Sequence, residues 1–120
     1  MQYDVSYSLE KLQKSKFRGR FRLSQIDYSY IQKTGIDVIL SHAQEFIDIR
    51  LSPANPKNDG KQTPFKNHPV FIAQHATATC CRKCLYKWHG IPKGQLLTNR
   101  QVGFCIELIM TWITIQLDSM

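Results

Sequence analysis

Three of the four cysteines and two of the four histidines in this chain fall within one short stretch, HATATCCRKCLYKWHG, residues 75–90. Zinc asks for about four thiolate or imidazole ligands around a tetrahedron, and a Cys-x-x-Cys pair lets one helical turn supply two of them. Cys81 and Cys84 form that pair. His75 precedes it and His89 follows it, giving His-x5-Cys-x2-Cys-x4-His. Cys80, four residues from Cys84, is an alternate to Cys81, and His68 is a reserve ligand. A helix beginning at Cys80 and Cys81, with Arg82 and Lys83 alongside, favours the thiolate forms. Two other chemistries use the same residues: a redox-active thiol pair, or cysteines packed as small hydrophobes. An iron–sulfur cluster usually wants four cysteines, and the fourth here, Cys105, sits on the apolar face of the last helix. Zinc is therefore the expected cofactor.

A second group of reactive side chains lies in DGKQTP, residues 59–64. Asp59, Lys61, Gln62 and Thr63 beside a glycine could hold a phosphate or move a proton next to a metal-bound water. With His68 they supply the catalytic candidates Asp59, His68 and Lys61. The competing reading is a solvated turn whose Asp59 and Thr63 bond their own backbone. The glycine spacing of a P-loop is missing. Upstream, KSKFRGRFR puts Lys14, Lys16, Arg18, Arg20 and Arg22 on alternate positions with Phe17, Phe21 and Leu23 between them or beyond. An extended chain would then show five cations on one side. Such a strip, enlarged by Arg82 and Lys83, would bind phosphates in a salt-sensitive way, and Phe17 or Phe21 could stack on unpaired bases. A solvated edge with buried aromatics is the alternative.

These groups need a scaffold, and the apolar spacing makes it helical. Ser24 and Asp27 have capping-box spacing, which opens a helix over residues 25–33 that Gly35 stops. Residues 37–51 carry Val38, Ile39, Ala43, Phe46, Ile47 and Arg50 as one stripe, and Pro53 ends it. Residues 52–67 form a long loop, with three prolines and an Asn58-Asp59-Gly60 turn signal. Pro69 opens a short helix leading to His75. Thr79 is the expected cap of another over residues 80–88, closed by Gly90. Thr98 and Gln101 cap a last helix over residues 99–117, whose Val102, Cys105, Ile106, Ile109, Trp112, Ile113 and Gln116 form the spine of the core. No segment alternates like a strand. The expected fold is all-α: one small domain of four to five helices over residues 15–120, with a long ordered loop, a Cys/His metal site and a short extended basic segment near its start. Residues 1–14 read as an N-terminal extension.

At 120 residues the chain suits a single core. Its 16 basic and 9 acidic residues leave a formal charge of +7, which fits a polyanionic partner, most simply nucleic acid. The N-terminus lacks the layout of a signal peptide, and no apolar run reaches the roughly 18 residues of a membrane span. The expected location is cytoplasmic, with no membrane partner. In a reducing compartment clustered cysteines are ligands or reactive thiols more often than disulfides.

FRGRFRLS, RLSPANPKNDGKQTP, HPVFIAQHATATCCRKCLYKWHGIPKG and IELIMTWI together resemble domain-of-unknown-function family 4186, small proteins of bacteria and their phages. The resemblance spans residues 15–113. It brings no activity, but it implies that DGKQTP and HATATCCRKC form one site. Three functions follow as expectations: a zinc-binding helical domain associated with nucleic acid, its zinc mainly structural; a metal-dependent enzyme acting on nucleic acid or nucleotides through the DGKQTP loop; or a protein-interaction factor whose charge serves solubility.

Overall fold

The computed structural model describes residues 3–120. Its regular structure is all helical among the described residues, with six α-helices rather than four to five: α1 (Val5–Gln13), α2 (Gln25–Thr34), α3 (Ile36–Phe46), α4 (Pro69–Ala76), α5 (Arg82–His89) and α6 (Asn99–Asp118). The additional one is α1, in the segment expected to be a loose extension. Asp4 caps it, accepting a hydrogen bond from the Tyr7 amide at 2.9 Å, and its buried Leu12 holds it against α6.

The helix ends follow local chemistry. Ser24 with Asp27, and Thr98 with Gln101, both close complete capping boxes, each satisfying two backbone N–H groups that a bare helix start leaves unpaired. At the start of α5 the expected cap, Thr79, is already committed to the Thr77 hydroxyl at 3.0 Å. Cys81 is the cap instead, its sulfur accepting from the Cys84 amide at 3.3 Å. α3 runs on through a wider π-helical turn, Ile47–Leu51, which keeps Ile47 and Leu51 facing inward.

α4 lies at the centre, and all eight of its residues are buried. It meets α2, α3 and α6, as a helix apolar on nearly every side must. α6 covers it with Cys105, Leu108, Ile109 and Ile113, all fully buried. Burial in this apolar setting pushes the Cys105 thiol up to about 12, so Cys105 acts as a core hydrophobe. No helix is long and apolar enough to cross a membrane.

The basic segment is not an extended strip. After α1 the chain folds back through a 3-10 turn, Arg18–Arg20. Gly19 makes this possible: a Cβ there would collide with the carbonyl oxygen of Gln13. The turn breaks the alternation expected of five outward cations and drives Arg18 into the interior.

Candidate metal centre

The sulfurs of Cys80, Cys81 and Cys84 lie within 4.8 Å of one another. A tetrahedral ion with Zn–S bonds near 2.3 Å holds its sulfurs about 3.8 Å apart, so the three thiols fit one ion after small adjustments. Cys80 and Cys81 come from the extended segment before α5, and Cys84 from its first turn. Capping draws the Cys81 sulfur to 3.1 Å from that of Cys84. Both cysteines that competed for one ligand position in the spacing argument therefore belong to the group.

The two flanking histidines stand outside this group. The His75 Nε2 faces the carbonyl oxygens of Thr63 and Pro64 at 3.0 and 3.1 Å, and its ring stacks on Phe65 at 4.0 Å. His89 Nε2 faces the Thr77 carbonyl at 2.8 Å. Burial lowers the pKa of both imidazoles. Each Nε2 faces carbonyl oxygen, which only accepts, so each carries the ring hydrogen there.

What lies beside the sulfurs is Arg18. Its Nη1 donates to the His75 carbonyl at 2.7 Å and approaches the Cys80 sulfur at 3.5 Å, and its Nη2 donates to the Cys84 sulfur at 3.1 Å. Arg18 is only 8% exposed. Hydrogen bonds from the Cys80 and Cys81 thiols hold Cys84 far below the ordinary thiol range, with Arg18 adding to the effect. Cys80, bonded to Cys81 and Cys84 and buried, is pushed up. Of the three thiols, Cys84 is thus the one most readily ionised, and the Arg18 guanidinium faces it.

The DGKQTP loop reaches the same place. Asp59 accepts from the Arg82 amide at 2.9 Å through Oδ1 and from the Lys83 amide at 3.2 Å through Oδ2. With Cys81 serving the Cys84 amide, the first three N–H groups of α5 are all satisfied, and a carboxylate sits at the positive end of the helix dipole. The Thr63 hydroxyl donates to the Cys80 carbonyl at 2.8 Å. Asp59 and Thr63 thus bond the cysteine segment rather than their own backbone, and within the loop Asp59 also accepts from the Gln62 side-chain amide at 2.8 Å. Lys61 is exposed.

Two cations assigned to a phosphate-binding strip are unavailable for it. Arg18 is at the sulfurs. Arg82 is 2% exposed; its Nη1 donates to the carbonyls of Leu51, Ser52 and Pro53 and its Nη2 to those of Pro92 and Gln95. It ties the loop after α3 to the connection between α5 and α6. Lys14, Lys16, Arg20, Arg22 and Lys83 remain exposed. Beside Arg20 is an aromatic row that the alternating pattern did not include in full. Phe17 packs edge-on against Phe21, Phe21 stacks with Phe65, and the Arg20 guanidinium lies 4.8 Å above the Phe17 ring. Phe17 is 41% exposed and Phe65 61%.

His68, the remaining candidate base, caps α4. Its Nδ1 accepts from the Val70 amide at 3.0 Å, and its Nε2 meets His42 Nδ1 at 2.9 Å. Nδ1 being an acceptor, Nε2 carries the hydrogen and donates to His42. Burial, and next the neighbouring His42, lower the His68 pKa to about 4. The unfolded chain takes up this proton near pH 6.5 and the folded chain only near 4, so the contribution is intact above 6.5 and declines as pH falls between them. Lowering pH from 7.5 to 5 should remove about 1 kcal/mol from this half-exposed group, allowing for screening. His68→Asn, which keeps a capping acceptor, should give a shallower melting-temperature slope over that range. An unchanged slope would disprove the assignment.

The chain matches, over residues 6–114, the family model described as Domain of unknown function (DUF4186), and it belongs to that family. The match includes most of α1, nine residues further towards the N-terminus than the sequence motifs alone indicated. No solved structure matches the chain.

Proposed function

We propose that this protein is a small metal-binding helical domain in which Cys80, Cys81 and Cys84 hold one zinc ion of mainly structural role, and that its basic aromatic face associates with single-stranded nucleic acid. The observation that carries the metal reading is three thiols converging beside one buried guanidinium. Three thiolates and a divalent ion sum to one negative charge, and Arg18 supplies the positive charge that makes the buried group neutral. Thiolate donors favour zinc over hard cations such as magnesium. Bound there, zinc would clamp the segment before α5 onto its first turn, adding binding free energy to a modest core.

The nucleic-acid reading rests on the exposed cations Lys14, Lys16, Arg20 and Arg22, with Arg20 over the Phe17 ring, and on the exposed rings of Phe17 and Phe65. Backbone phosphates suit the cations, and exposed rings suit unpaired bases. A metal-dependent enzyme acting on nucleic acid or nucleotides is the second reading, favoured by three convergent thiols where a closed structural site has four ligands. Against it, Asp59 has both carboxylate oxygens engaged as a helix cap.

Elemental analysis of protein purified without chelator tests the first part. About one zinc per chain is expected, lost in Cys84→Ser; a metal-free wild type would end the zinc reading. For the second part, affinity for a single-stranded oligonucleotide should fall steeply between about 50 and 200 mM salt, and Phe65→Ala or Arg20→Ala should each weaken it about fivefold or more. Binding indifferent to salt and to both substitutions would end that reading while leaving the metal centre untouched.

A further inference from the structure

The cysteine helix has a second feature away from its sulfurs. Between α1 and α5 lies a cleft of about 360 Å³ lined by Tyr7, Lys11, Tyr86, Trp88, His89 and Phe104. That is the lower end of the size range of small-molecule sites, which combine apolar walls with a few polar groups. Tyr7 and Tyr86 are 62% and 57% exposed, a large aromatic surface to leave in water. The Lys11 ammonium lies 5.8 Å from the Trp88 ring centre, and Lys87 also lines the cleft. Asp4, its one carboxylate, is committed as the cap of α1.

His89 contributes its ring to the wall: its Nε2–H is spent on Thr77, and its Nδ1 is buried away from solvent. The ligand indicated has a flat ring to lie against Trp88 and the tyrosines, and negative charge for Lys11 and Lys87.

We propose that this cleft binds a nucleoside 5′-phosphate, its base stacked among Trp88, Tyr7 and Tyr86, and its phosphate held by Lys11 and Lys87. The occupant is the free mononucleotide. The site uses residues other than the metal ligands and other than the Phe17 and Phe65 face, so it stands or falls separately from the reading above.

Isothermal titration calorimetry of the full chain with adenosine monophosphate, beside ribose 5-phosphate, tests it. Saturable binding tighter than about 1 mM is expected for the nucleotide, with ribose 5-phosphate at least tenfold weaker, about the contribution of one stacked base. Lys11→Glu, on the exposed face of α1, and Trp88→Ala should each weaken the nucleotide about tenfold while zinc content stays at the wild-type value. No heat with the nucleotide up to about 5 mM would overturn the proposal. So would equal binding of ribose 5-phosphate, affinity unaltered by both Lys11→Glu and Trp88→Ala, or binding of a single strand by this cleft without binding of the mononucleotide.

Discussion

Replacing Arg82 with methionine is expected to destabilise the domain by about 3–5 kcal/mol, because it takes the shared donor away from buried and partly buried carbonyls, of which Ser52 alone keeps the Leu97 amide. The guanidinium donates to five backbone carbonyls in two separate connections. Methionine fills much the same volume, so the loss would be one of hydrogen bonding rather than of packing. A fall in melting temperature of about 15 °C should follow for a chain of this size. Arg82→Lys retains the charge but offers a point donor in place of a two-armed fork, and should recover less than half. Thermal unfolding followed by circular dichroism reads both. A change of under about 3 °C for methionine would show that the carbonyls find water or other donors instead.

The second large effect is at Arg18. Arg18→Met would leave three thiolates and a divalent ion with an uncompensated negative charge in a buried setting, and would strip the His75 carbonyl of its donor. Groups that support metal ligands in this way commonly change affinity by about 10–100-fold, and zinc affinity measured by chelator competition should weaken by that factor. Melting temperature should fall in the zinc-loaded protein and, by about 1–3 kcal/mol of stability, in the zinc-free protein as well, since the Cys84 sulfur and the His75 carbonyl lose a buried donor there too. Arg18→Lys should lie between, its single ammonium reaching one of the two sulfurs. Zinc affinity unchanged by Arg18→Met would sink the charge-balance argument.

Much of this architecture was written locally. Ser24 with Asp27, Thr98 with Gln101, Pro69, Gly35 and Gly90 mark helix ends through interactions within a few residues, and their bounds were legible to within one or two positions. The stripe on α6 was also legible, because a 3.6-residue period survives whatever it packs against, although Phe104 and Leu108 widen it. The cysteine cluster was partly legible: spacing identified Cys81 and Cys84, but not which flanking groups point inward. That depends on χ angles and on carbonyls supplied from residues 63, 64 and 77, which no spacing encodes.

The arginines were the clearest failure. In sequence, Arg18 and Arg82 are indistinguishable from exposed cations, and alternation in the basic run suggested an extended strip. Their burial follows from nonlocal geometry: Gly19 lets the chain fold onto Gln13, and the loop after α3 turns its carbonyls towards α5. The small residue beside Arg18 was the one local signal, since glycine between bulky neighbours marks a place where backbones approach closely. For Asp59 and Thr63 the family resemblance outperformed residue chemistry. It linked their loop to the cysteine segment, whereas composition alone suggested a turn bonded to itself.

The enclosure of α4 bears on how the chain comes together. Its partners α2 and α3 precede it and α6 follows it, so neither the first half of the chain nor the second contains a complete wrapping for its eight residues. A fragment ending before α6 would leave apolar helix surface in water, and one beginning after α3 would do the same on the opposite side. Neither half buries α4 by itself, so unfolding is expected to be a single cooperative transition, as small domains usually show. The helix packed between the two halves ties the stability of each to the other.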